Sequence, residues 1–108
     1  MSIELIEKRQ RRLIRQRREL ADFRHALRYL KDPVEALKWT VGLFATWHAV
    51  RRVASTLIAW PVQDVPTAWA IVYYVRGLPD GNKRLKEAVV EVVARWESEC
   101  EAKAAKAT

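Results

Sequence analysis

Thr67-Ala-Trp-Ala-Ile-Val-Tyr-Tyr-Val-Arg76 is the stretch on which the fold class turns. Its β-branched and aromatic residues suit a strand. A strand needs a partner, however, and no other run in the 108 residues has strand character. An isolated strand would leave its backbone N–H and C=O groups unpaired. The stretch is therefore predicted to be a short helix, and the fold all-α.

Working outward, Gly77 and Pro79-Asp80-Gly81-Asn82 supply a turn. From Lys83 onward, Leu85, Val89, Val92, Val93, Trp96 and Cys100 recur at helical spacing, and the Ala- and Lys-rich tail after Glu101 is expected to fray. On the other side, Pro61 and Pro66 flank Asp64 and interrupt the apolar run Val53–Val75. That run is therefore a poor transmembrane span, and a membrane partner is not expected.

Asp32-Pro33-Val34-Glu35 is a helix start, with Asp32 as cap, Pro33 at the first helical position and Glu35 able to reach back. A second helix is predicted from there to about Trp60. Leu43, Phe44, Trp47, Val50, Ala54, Leu57 and Ile58 would line its apolar face, opposite Lys38, Arg52, Ser55 and Thr56. The first helix is predicted over Ile3–Leu30, ending near Lys31. Ile6, Leu13, Leu20 and Leu27 stand seven apart, widened by Ile14, Ala21, Phe23 and Leu30. Gln10, Arg17 and Arg24 at intervening heptad positions argue against a parallel zipper. The expected layout is a long basic N-terminal helix (1–31) that binds phosphate, followed by a compact body (32–108) of two or three further helices for packing and self-association.

Charge is distributed unevenly. Lys and Arg total 20 against 13 acids, for a net charge of +7, and residues 1–31 alone carry +6. Lys8, Arg9, Arg11, Arg12, Arg15, Arg17 and Arg18 place seven cations in eleven residues without an acid. Surface helices usually pair such charges with a Glu four residues away. Six of the seven are Arg, whose guanidinium fork matches phosphate oxygens with two hydrogen bonds. Lys8, Arg11, Arg12, Arg15 and Arg18 are read as projecting away from the Leu stripe. The rival reading is a solvated face matched by Glu97, Glu99 and Glu101 of a neighbouring helix.

Two lesser cationic sites accompany the run: Lys83, Arg84 and Lys86 at the start of the last helix, and Arg51 with Arg52. Nucleic acid is the expected partner, duplex DNA above all. Nothing in the run resembles a base-reading set, so little sequence preference is expected. A helix-turn-helix regulator using the last helix is one alternative. A helix lying on an anionic membrane surface is another.

Trp39, Trp47, Trp60, Trp69 and Trp96 are many for this length. Trp47 and Trp96 fall in apolar stripes. Trp39, Trp60 and Trp69 fall near predicted helix ends, where with Leu13, Leu20 and Leu27 they are assigned to self-association, with copies of this chain or a related subunit. His25, His48 and Cys100 have no partners at ligand or nucleophile spacing. No cofactor, metal or enzymatic activity is expected. No signal sequence opens the chain, so a virion or an intracellular location is expected.

This plan, a long Arg-rich helix before an aromatic-rich helical body, resembles the helical coat proteins (nucleoproteins) of filamentous DNA viruses of hyperthermophilic archaea. The Val-, Ala-, Arg- and Glu-rich stretch Lys86–Glu101 is similar to proteins of such hosts. The resemblance covers the general plan and carries no residue motif. It implies a non-enzymatic virion subunit assembled around DNA, with the Arg run against phosphates.

Overall fold

A computed structural model describes residues 2–29, 32–39 and 42–107, without the side chains of Phe44, Ala45 and Ala107. These residues form five helices and no strand: α1 (Ile3–Tyr29), α2 (Pro33–Lys38), α3 (Leu43–Ile58), α4 (Val65–Arg76) and α5 (Gly81–Ala107). The deciding stretch is helical, as α4. Asp64 caps it by accepting from the Thr67 N–H at 2.8 Å, and the Thr67 hydroxyl and N–H hold the Asp64 carboxyl below the usual carboxylate range.

One core joins all the helices. Leu20 and Phe23 of α1, Val34 and Leu37 of α2, Val50 and Val53 of α3, Val72 of α4 and Leu85, Val89 and Trp96 of α5 meet there. All six apolar positions read from Leu85 to Cys100 are buried. The polar connections are peripheral. Asp32 caps α2 through the Val34 N–H at 2.9 Å and also pairs with Arg76 at the end of α4. Lys38 lies 5.5 Å from the Tyr73 ring. Glu35 stands 3.7 Å from Lys38 Nζ.

Three sequence expectations need correction. The single helix expected from residue 33 to about 60 is two, α2 and α3, so four helices follow α1. Gly42 precedes α3 with φ +80, a conformation that an L side chain resists and a helix cannot include. The expected face of that helix is also rotated. Ala49, Val50, Val53 and Ala54 are buried, Trp47 and Leu57 flank them, and Leu43 is 93% exposed. Phe44 lies outside the described side chains. Pro61 does follow α3, which closes at Ala59 in the left-handed region (φ 50). Finally, the Ala- and Lys-rich tail expected to fray after Glu101 is helical, α5 continuing through Ala107.

In α1, Leu20 and Phe23 are buried and Leu27 packs on the core, while Ile14 is 65% exposed and Ala21 lies at the surface. Leu30 and Lys31 lie outside the described residues. No described residue before Leu20 is buried. The radius of gyration is 15.1 Å, against about 13 Å for a compact chain of this length. The excess reflects the N-terminal half of α1 and the end of α5, which extend together beyond the core and give a 52 × 29 × 21 Å outline.

Candidate nucleic-acid interface

α1 runs antiparallel to α5. Arg24 pairs with Glu97, and the Cys100 thiol donates to Gln16 Oε1 at 4.0 Å. Arg9, Arg12, Leu13 and Gln16 share a cleft with Lys103 and Lys106. This alignment sorts the cations of α1 into three sets.

Lys8, Arg11, Arg15 and Arg18 are exposed; at 100° per residue Arg11, Arg15 and Arg18 share the side of α1 turned away from Leu20 and Phe23, and Lys8 stands at the edge of that side. No ion pair involves any of them among the described residues. Arg9 and Arg12 lie instead on the α5 side, in the cleft with Lys103 and Lys106. For Arg12 this corrects the sequence reading. A helix drifts by about 20° per heptad against a seven-residue stripe, so a face extrapolated from Leu27 back to Ile6 is misplaced at its far end.

Arg17 belongs to the third set. With Arg24, His25 and Arg28 it lines a groove of ≈ 510 Å³ that also holds Glu97 and Glu101. The acidic match considered for the whole run is thus confined to this side. The remaining acid of that trio, Glu99, pairs with Arg52 at 3.0 Å.

Arg51 and Arg52 are not equivalent. Arg52 holds Glu99 and stands 5.9 Å from the Trp96 ring. Arg51 is exposed and borders a groove with His48, Ser55, Thr56 and Arg95. Burial, then Arg52 and Arg51, push the His48 imidazole below its ordinary range, with Glu19 opposing. Unfolded His48 therefore takes up its proton at higher pH than folded His48, and the stability it contributes above pH ~6.5 is lost as pH falls through the folded value. Chemical denaturation between pH 7.5 and 5.5 should show stability falling with pH, and His48→Gln should flatten that dependence.

Lys83, Arg84 and Lys86 are exposed at the opposite end of α5. Twenty residues separate Lys83 from Lys103, about 30 Å of helix, so this patch does not join the cations of α1. Beside it, Glu87 and Glu91 are exposed, and Glu91 holds Arg95 at 2.5 Å.

Leu13, Leu20 and Leu27 lie on the face of α1 turned to the same chain. Leu20 is buried, Leu27 packs on the core and Leu13 borders the α5 cleft, so all three make contacts within the same chain. Trp69 and Trp47 pack against the core and Trp96 is inside it. Trp39 and Trp60 are each 70% exposed.

Burial pushes the Cys100 thiol up, with Lys103 and Arg17 opposing, so it is held as the unreactive thiol. No group of three His, Cys, Asp or Glu among the described residues could hold a metal. No helix among them is long and apolar enough to cross a membrane. Lys103 and Lys106 escaped the sequence reading, although their three-residue spacing in an acid-free tail was visible. No family model matches the chain, and neither does any curated protein or solved structure.

Proposed function

We propose that the chain is a non-enzymatic, self-assembling nucleic-acid-binding subunit that neutralises the phosphodiester backbone, of duplex DNA in the first instance, with little regard to sequence. The observation that carries this reading is the outer face of α1. Lys8, Arg11, Arg15 and Arg18 are exposed there within about 15 Å of helix, without an acidic partner among the described residues. Clustered cations of one sign repel one another, and a polyanion relieves that repulsion while releasing its counterions.

Assembly with further copies, or with a related subunit, falls to the exposed Trp39 and Trp60, since tryptophan is enriched at the buried centres of interfaces. A coat or packaging role in a virion, or an equivalent intracellular one, follows from pairing these two surfaces, in keeping with the resemblance to archaeal filamentous-virus coat proteins.

The test is the salt dependence of binding to a labelled duplex of arbitrary sequence. The four phosphates met by the outer face alone contribute about −3.6 to the slope of log Kobs against log salt. Scrambled competitor should displace the probe equally well, whereas a regulator would favour its own site by ~10³ or more. A slope near zero, or binding to anionic vesicles that persists under excess duplex, would reject the reading.

A further inference from the structure

The seam between α1 and α5 changes character along its length. Phe23, buried in the core, is followed one heptad toward the N-terminus by Gln16 and two heptads by Arg9. On α5, Trp96 is followed one heptad toward the C-terminus by Lys103. Because the helices are antiparallel, both substitutions of cation for apolar residue fall at the same end. Arg12 lies one helical turn from Arg9 toward the core, and Lys106 one turn from Lys103 away from it. All four border one cleft of ≈ 240 Å³ with Leu13 and Gln16, and no acid lines it.

No ion pair among the described residues involves any of the four. The acids that could reach them are engaged elsewhere. Glu97 is held by Arg24 and Glu99 by Arg52, and Glu101 lines the opposite groove with Arg17 and Arg28. Where two packed helices would ordinarily continue an apolar seam, this pair places like charges around a cleft.

We propose that this cleft is a seat for a chain of phosphates, with Lys103 and Lys106 of α5 completing a clamp begun by Arg9 and Arg12 of α1. The ligand is the phosphodiester backbone of nucleic acid, and to that extent the assignment rests on the function proposed above. Each helix contributes two cations one turn apart, about 4.5 Å along its axis, so the cleft offers successive anion positions. A linear polyphosphate fills such positions; a single small anion does not. The two arginine forks suit phosphate oxygens, and the two lysines add point charge. A phosphate between the helices also removes the repulsion that the apolar seam leaves unrelieved, so the ligand stabilises the fold by mass action.

The full chain and two double variants are compared. Lys103→Gln/Lys106→Gln removes two charges from the cleft. Arg28→Gln/Arg95→Gln removes the same net charge from positions beside acids. The expected result for the first is a duplex-binding slope shallower by about 1.8, and a roughly 60-fold weaker Kd in 0.1 M salt if affinities converge at 1 M. The second should shift both quantities far less. Without ligand, the Lys103→Gln/Lys106→Gln protein should melt no lower than wild type, which confirms that it folds.

Tripolyphosphate, set against sodium chloride of equal ionic strength, should raise the wild-type melting temperature but not that of the cleft variant. Unchanged slope and melting behaviour in the cleft variant, or equal losses in both variants, would overturn the seat while leaving the outer face of α1 as the binding surface. A tripolyphosphate effect confined to wild type, with no duplex binding at any salt, would retain the seat and overturn nucleic acid as its source.

Discussion

Gly81→Ala should cost about 3 kcal/mol or more, because overpacking against backbone has no soft neighbour to yield. A Cβ built at Gly81 would stand 1.9 Å from the Val75 carbonyl oxygen, 2.6 Å from that of Arg76 and 2.8 Å from the Arg76 carbonyl carbon. Those atoms are backbone at the end of α4, and the Val75 oxygen already accepts from the Leu78 N–H at 3.1 Å. Making room therefore means moving the α4–α5 corner, and with it Val72, Val75 and Leu85 in the core.

For a domain of this size such a loss lowers the melting temperature by about 12 °C or more. Gly77→Ala, four residues earlier, is the internal comparison. Its Cβ would meet nothing closer than the Tyr74 oxygen at 3.5 Å, and its backbone is right-handed helical (φ −74). There the smaller entropy of the unfolded alanine chain should leave stability unchanged or raised by about 0.4–1 kcal/mol. Thermal melts that ranked the two substitutions equally would contradict this account of the corner.

The largest functional effect is expected from Lys8→Gln/Arg11→Gln/Arg15→Gln/Arg18→Gln, which empties the outer face of α1. Four lost phosphate contacts reduce the salt slope by about 3.6, equivalent to roughly 4000-fold in affinity at 0.1 M salt if affinities converge at 1 M. Folding should be preserved, because all four side chains are exposed and unpaired among the described residues. Each also stands four residues from an acid (Glu4, Glu7, Glu19 and Asp22), so relief of repulsion and loss of attraction offset and helix stability should change little. Anisotropy titrations against circular dichroism melts separate the two effects. A variant that binds like wild type would move the interface off α1.

How much of this was legible beforehand follows from the range of the forces involved. The buried face of α5 was readable because Leu85 to Cys100 obey one period over four turns, and α4 was readable from the lack of any partner strand. The break between α2 and α3 was missed because one glycine, Gly42, interrupts an otherwise continuous apolar pattern, and its positive φ is not visible in hydropathy. The face of Arg12 was missed because angular drift accumulates along 27 residues. Lys103 and Lys106 looked like a fraying tail, since only tertiary packing brings the end of α5 beside the start of α1. Charge is local and readable; which charges face one another is not.

The change of the α1–α5 seam from apolar to cationic also grades the molecule in rigidity. Around Phe23 and Trp96, opening the seam would expose fully packed side chains, so that pole opens only with global unfolding. Around Arg9 and Lys106 nothing is buried, and opening there exposes little. The chain thus has a stiff pole and a soft pole on one pair of helices. A polyanion held at the soft pole would act chiefly by damping the motion of the two helix ends, leaving the shape of the core as it is.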